Sequence, residues 1–404
     1  MKVGYHKEDI TPLTPQFVCG HAMREGRSIG VHDHLEICVL WLEIEDNKIC
    51  FINADLIMMS FAFCDEVRSC IAKEYDISNE QIILTVTHTH SGPNFNDHDA
   101  KMMPGDKEYI EYVKQKLYQS VMIAQSNTKA FNNTVVTQGL ITGYYGNRND
   151  IKKEGDKWAY LVRFKNDDKT LAALANLSCH STVVDPTSLL FSADLLGNIR
   201  HSLEDHLNIP ILITNGSAGD MSNRQYRKGN DWGQLQSISV GIAQQMISFT
   251  DDINVNLSPI VINPFCYRVK YQQDVSLITK KLNQLENNLK NSTKFDEKKW
   301  LYSEIAGYKR RIEDPIVDLR LDGEVIRMGD IEFVIIPGEL ASNFGLQLKR
   351  SSNAKVCIVI GYANGLSTYI VEASEFNGGH DGISTSLKRG QAEEYVGKII
   401  QKMV

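Results

Sequence analysis

Gln81–Asn94, QIILTVTHTHSGPN, runs apolar and then breaks. Ile82, Ile83, Leu84 and Val86 make a partly β-branched run of strand length, and Ser91-Gly92-Pro93 stops it. Between the two lies Thr87-His88-Thr89-His90. In an extended backbone, residues two apart point to the same side. That predicts His88 and His90 leaving the strand end side by side, where a buried sheet opens to solvent. Two imidazoles so placed suit a divalent metal, or a metal plus a proton carrier. They also suit two histidines that only meet the hydrogen-bond needs of a strand end.

Outward from this stretch, helices and strands are mixed. Leu35–Glu45 and Ile49–Ala54 read as a hairpin joined by Asp46-Asn47-Lys48, and Ala62–Glu74 has helical spacing. Lys107–Ser126 carries Tyr109, Ile110, Val113, Leu117 and Val121 on one stripe, the pattern of an amphipathic helix. Val135–Ile141, Trp158–Phe164 and Leu171–Leu177 read as strands. Helix Ala193–Leu207, strand Ile209–Thr214 and helix Gln234–Ser248 follow, then a strand candidate over Pro259–Tyr271. A charged segment at about 272–313, interrupted near Asn291-Ser292-Thr293, predicts a helical hairpin packed on or projecting from the body. Strands Ile316–Leu321, Glu324–Met328, Phe333–Ile336 and Val356–Gly361 lead to a closing helix, Leu387–Lys402. The alternation is too irregular for a doubly wound parallel sheet. It predicts an α/β (α+β) fold with a mixed β-sheet core flanked by helices and a helical-hairpin excursion.

The 404 residues give ample core for one large domain or two ordinary ones, and one domain over 1–404 is the expectation. The hydrophobic share of 42% and charged share of 23% are those of a globular protein in water. A net charge of -7 with no balancing basic patch argues against nucleic acid or an anionic membrane surface. Eight cysteines stand without a CxxC pair, several in apolar runs such as Glu36-Ile37-Cys38-Val39-Leu40, which reads as reduced core cysteine. The first residues, MKVGYHKEDITP, hold no apolar signal region, and no later segment reaches membrane-spanning length. A cytoplasmic protein without stable membrane insertion, and with the option of homo-oligomers, is the expectation.

Polar clusters follow the apolar runs one after another: Asp55, His88/His90, Tyr145–Arg148, His180, Asn215–Ser222, Pro337-Gly338-Glu339 and Tyr362–Tyr369. Loops are polar in any protein, which accounts for one such cluster but poorly for so many bearing His, Glu, Arg or Ser. Clefts of α/β sheets form at strand ends, so these residues are candidates to converge.

Five of these stretches, in order, are THTHSGPN, SCHSTVVD with the later SADLLGN, GSAGDMSN, IPGEL and the region Asn364–Phe376. Together they resemble the neutral/alkaline non-lysosomal ceramidase family along essentially the whole chain, in its N-terminal catalytic domain. The resemblance implies a zinc amidase that cleaves an N-acyl bond of a small-molecule substrate. It implies His88, His180, Glu339 and Tyr369 as metal ligands. It places His90 on the substrate carbonyl or in a proton shuttle, Arg148 on the carbonyl or water, and Ser222 at the position of the family's candidate nucleophile. Two imidazoles, a carboxylate and a phenolate make an acceptable zinc shell.

The chain also departs from the family. The expectation is a catalytic domain without the immunoglobulin-like C-terminal domain of full-length ceramidases. Phe376 stands where the resemblance implies a second active-site tyrosine, which either loses one oxyanion donor or transfers that role to another group such as His380. These departures favour a smaller or more polar N-acyl substrate than ceramide. The alternatives are another metallohydrolase acting on an ester or lactam, or a non-catalytic ligand-binding member of the fold. A metallo-β-lactamase-like enzyme fits poorly, because Ser91-Gly92 replaces the Asp-His that its HxHxDH signature needs. An amidohydrolase barrel fits poorly as well, because several elements precede His88. His21 is a candidate pocket residue, and Asp55 and Asp194 are candidates to orient the ligand histidines.

Overall fold

The computed structural model describes residues 1–95, 105–376 and 378–403. Most of its strands fall into three large sheets, among the described residues, that repeat one topology, and the rest form two-stranded pairs. The first unit has β1 (Lys2–Asp9), β2 (Glu36–Ile44) and β3 (Asn47–Ala54), then helix α1 (Phe61–Tyr75) and β4 (Ile82–Val86). β1, β2 and β3 pair antiparallel, while β4 returns parallel to β3. Helix α2 (Lys107–Ser126) then leads to Lys129–Ala130, which pairs with the far edge at β1.

The second unit repeats this with β5 (Asn133–Leu140), β6 (Trp158–Asn166), β7 (Lys169–Leu177), α3 (Asp194–Leu207) and β8 (Ile211–Asn215). Helix α4 (Trp232–Ser248) and β9 (Asp251–Val255) close it on β5. β8 lies parallel to β7, as β4 does to β3. The third unit opens with β10 (Ile260–Phe265) and detours through a ribbon, β11 (Arg268–Gln272) and β12 (Ile316–Arg320). Between the ribbon strands stand α5 (Val275–Asn291) and α6 (Phe295–Glu313), the expected hairpin, with a small core of Leu282, Leu285, Leu301 and Ile305. β13 (Gly323–Met328), β14 (Ile331–Ile335), α7 (Ser342–Ser351) and β15 (Val356–Ile360) complete the unit, with β15 parallel to β14. Helices α8 (Gly379–Ser384) and α9 (Gln391–Ile400) follow.

Alternation along each strand explains the layering. Cys38, Leu40 and Leu42 of β2 face a core shared with Ile83, Val162, Leu174, Leu212, Ile326, Phe333 and Ile358 from all three sheets. Ile37, Val39 and Trp41, between them, face a second core under α1–α4. In the third unit Cys357 and Val359 face outward, under α7 and α9. β4, β8, β14 and β15 are buried at every position, as expected for parallel strands covered on both faces.

The sheet edges β4, β8 and β15 are not left open. Asn364 N donates to Leu84 O at 2.7 Å, Gly361 N to Asn215 O at 2.9 Å, and Asn176 Nδ2 to Val359 O at 3.1 Å. These bonds knit the three edges together, and the loops that carry the candidate residues leave from there.

Two expectations change. Pro259–Tyr271 is two strands in different sheets, because the chain switches partner at Cys266-Tyr267 and buries Tyr267. The closing helix is shorter, Gln391–Ile400, and begins after Gly390, whose φ is +90°.

Candidate metal centre

The strand of the opening stretch ends at Val86, and His88 sits in left-handed backbone with φ +58°. The convergence of His88 and His90 therefore does not come from an extended i, i+2 geometry. It comes from a loop pinned on both sides. Thr89 bridges to Ser181, and its Oγ1 donates to Ser192 O at 2.7 Å. His90 N donates to Ser181 O at 3.2 Å. Arg24 donates to the His90 carbonyl and to Ser91 Oγ. Gly20, with φ +98°, approaches so closely that a Cβ there would lie 2.6 Å from His90 Cα.

Three imidazoles meet at this point. Nδ1 of His88, His90 and His180 lies 2.7, 2.8 and 2.7 Å from the carbonyls of Ile57, Gly20 and Ala218. A carbonyl only accepts, so each Nδ1 carries the proton and each Nε2 presents a lone pair. The Nε2 atoms of His88 and His90 are 3.2 Å apart, and one ligand atom from each of the three lies within 4.8 Å of the others. Glu339 Oε2 is 3.1 Å from His180 Nε2 and 3.6 Å from His88 Nε2. Lone pairs and a carboxylate aimed at one another repel unless a cation lies among them, and the set of nitrogen and oxygen donors fits a divalent metal such as zinc. Burial pushes His88 down to about 4 and His180 to about 3, and it lowers His90 well below its ordinary value. Neutral imidazole, the ligating form, is thus favoured.

The remaining candidates surround this cluster. Glu339–Leu340 pairs with Tyr369–Ile370, which sets Tyr369 beside Glu339. The Tyr369 ring lies parallel to that of His180, at 6° and 6.5 Å between centroids, and Arg148 lies over its face at 5.5 Å. Arg148 Nη1 is 3.4 Å from His180 Nε2. Ser222 pairs through its backbone with Gly146 beside Arg148, but its Oγ accepts from Arg224 N at 3.1 Å, and no base is bonded to it among the described residues. His21 packs 5.2 Å from His90, ring to ring, and burial lowers its pKa well below the ordinary value.

Asp55 and Asp194 do not orient the histidines, since backbone carbonyls hold all three Nδ1 atoms. Asp55 instead accepts from Glu36 N and pairs with Arg200, and Asp194 accepts from Val183 N and Val184 N. The backing of His180 is a buried knot: Lys349 Nζ lies 2.7 Å from both oxygens of Asp156, which accepts from Ser178 Oγ and Ser217 Oγ at 3.1 and 2.5 Å. A cleft of about 600 Å³ lined by Trp158, Tyr160, Lys349 and Arg350 adjoins that knot, and it holds none of the three histidines.

The description neutral/alkaline non-lysosomal ceramidase, N-terminal, matches residues 1–299. The chain belongs to that family. Ceramidases of this family are hydrolases of the ceramide amide bond, and this chain shares their catalytic class. Solved structures extend the likeness beyond residue 299. Neutral ceramidase from Pseudomonas aeruginosa matches with a TM-score of 0.77 and 15% identity, over 100% of this chain and 73% of that one. A ceramidase complexed with C2 matches equally, at 0.77 and 15%, over 100% of this chain and 74% of that one. At that identity the likeness is one of fold, and the mixed α/β ceramidase fold is the one this chain adopts. No curated protein sequence matches the chain.

Three residues of the site were given no individual role by the sequence. The Tyr362 ring lies 4.4 Å from that of His88, tilted by 32°, and its O–H donates to Glu339 Oε2 at 3.4 Å; the sequence marked it only as one end of the Tyr362–Tyr369 polar cluster. Asp381 pairs with Arg148, and its signal was the Gly-Gly-His-Asp-Gly turn. Glu304 of α6 bonds His380 Nδ1 at 2.7 Å, and nothing in the polar helix distinguished it.

Proposed function

We propose that the protein is a zinc-dependent amidase that hydrolyses an N-acyl bond in a substrate smaller or more polar than ceramide. The observation that carries this reading is the convergence of three proton-fixed imidazoles with Glu339. His88, His180, Glu339 and Tyr369 would hold the ion, with His90 free for the substrate side. Bound zinc supplies an activated water with a pKa near ~7 and a polarised carbonyl.

The side chains divide the remaining work. An amide needs a donor for its developing oxyanion, and the Arg148 guanidinium beside His180 offers one. Its leaving amine needs a proton, which His90 is placed to carry, since its Nε2 faces the centre and its Nδ1 is tied to Gly20 O. Tyr362 O–H would orient Glu339 by donating to Oε2, the oxygen that also faces His88 and His180. Ser222 is a turn-stabilising neighbour in this scheme, and water is the attacker. The preference for a small or polar substrate is supported by α6, which brings Glu304 to His380 beside Tyr369 and lines that flank with polar groups.

The test joins zinc quantification to a panel of N-acetylsphingosine, N-acyl amino acids and N-acyl amino sugars. Stoichiometric zinc, chelator-sensitive turnover and preference for a polar amine portion are expected. Absence of zinc, together with no turnover and no effect of His88→Ala, would end the proposal.

A further inference from the structure

Arg148 enters the site from the Gly146–Asn147 strand pair, but what fixes its guanidinium comes from α8. Asp381, 1% exposed, binds Nη2 with one carboxylate oxygen. Its other oxygen accepts from Asn149 Nδ2 at 2.9 Å. Nη1 lies against His180, the guanidinium also hydrogen-bonds the Tyr369 side chain, and the buried Nε–H has no acceptor. Nη2 is therefore the corner of the guanidinium held by a full ion pair, while its other partners are the His180 ring and the Tyr369 side chain and its Nε–H is unpaired. A long arginine side chain carries about 2 kcal/mol of rotamer entropy, so an end-anchor decides where its donors point.

The approach of α8 is built in. Gly379 has φ +59°, and a Cβ there would lie 2.6 Å from Asn149 Oδ1. The far side of α8 is tied to the hairpin by Arg311, which donates to Ile383 O and Thr385 O at 3.0 and 3.2 Å, and by the Glu304–His380 bond.

We infer that Asp381 is a positioning residue: its carboxylate clamps Arg148 so that the donors it leaves free face the substrate carbonyl. This rests on the amidase reading, in which Arg148 contacts that carbonyl. Asp381 itself touches no substrate. Its negative charge is absorbed by the guanidinium, so it orients the donor without opposing the oxyanion.

A double-mutant cycle on zinc-loaded protein, with an N-acyl aminomethylcoumarin as the amide, tests this. Arg148→Ala and Asp381→Ala should each lower kcat about 100-fold, with KM moving less than about threefold. The double variant should be no slower than Arg148→Ala alone. Asp381→Asn, whose amide oxygen still accepts from Nη2, should recover most of the rate, and zinc content should match the wild type throughout. If Asp381→Ala does not fold, Asp381→Ser takes its place in the cycle. Losses that multiply in the double variant, or an Asp381→Ala enzyme at full kcat beside a crippled Arg148→Ala, overturn the positioning role and leave the amidase reading standing. Full kcat in Arg148→Ala, or no hydrolysis of the amide by the wild type, overturns that reading and this inference with it.

Discussion

Replacing Arg200 by methionine should cost about 3–5 kcal/mol of stability. Arg200 and Asp55 are both 0% exposed, and their contact is 2.9 Å from Nη2 to Oδ2. The same Nη2 lies 2.6 Å from Glu36 Oε2. Methionine preserves most of the aliphatic stem, so little packing is lost. What remains is the Asp55 carboxylate, fully buried and held by the Glu36 N–H at 3.0 Å. A buried charge that loses its partner keeps its desolvation penalty without the attraction that offset it. Neutralising it should therefore help: Asp55→Asn in the Arg200→Met background should restore part of the loss. Urea unfolding midpoints at an unchanged slope are the readout. The perturbation should also reach the site, because Asp55 leads into Leu56-Ile57 and the Ile57 carbonyl fixes Nδ1 of His88. Zinc affinity should fall with stability. A loss below about 1 kcal/mol, the range of an exposed ion pair, or no recovery from Asp55→Asn, would refute the reasoning.

In metal-free protein, burial holds His88 at about 4 and His180 at about 3 against an ordinary 6.5, so the unfolded chain takes up protons that the folded chain refuses. Stability should fall as pH drops from about 6.5 toward 4, by about 1.4 kcal/mol per unit for each histidine; a melting temperature flat over that range contradicts it. Gly219→Ala would set a Cβ 2.5 Å from the Glu339 carbonyl oxygen, so the loop holding Ala218 must move. It should cost about 1–3 kcal/mol and weaken zinc binding, both measurable by titration calorimetry and thermal melts. Gly307→Ala, inside α6 with nothing within 4 Å of its Cβ, should instead stabilise by about 0.5–1 kcal/mol. Arg311→Ala releases α8 from the hairpin and should lower kcat by about 10- to 100-fold, with zinc content unchanged in elemental analysis.

Long periodic segments were legible. The stripe from Tyr109 to Val121 locates α2 at Lys107–Ser126, and the turn at Asp167-Asp168 joins two largely apolar strands. The candidate site was legible because its side chains stand at the ends of apolar runs, where residue type carries chemical meaning. β1 was not, since Lys2–Asp9 reads KVGYHKED and is a strand only through its pairing with β2. α7 was hidden because Phe344, Leu346 and Leu348 bury a helix of only 10 residues. Backbone carbonyls that fix the imidazoles leave no mark on a sequence, and neither does the left-handed turn at His88. Asp381 and Glu304 reach the site by tertiary approach across the chain: the Gly-Gly-His-Asp-Gly turn marked the place of Asp381 but not its partner, and nothing local marked Glu304.

The threefold topology has a consequence for biogenesis. The first unit supplies His88 and His90, the second His180, and the third Glu339 and Tyr369. No unit owns the centre. A chain interrupted in α6, near where the family match ends at residue 299, would present three imidazoles and no carboxylate. Such a nascent or clipped product would be a loose, unselective chelator with no amidase activity. Were an ion held there, its retention would act as a checkpoint: loading would report that the last unit has docked, and would penalise every partly assembled form by mass action.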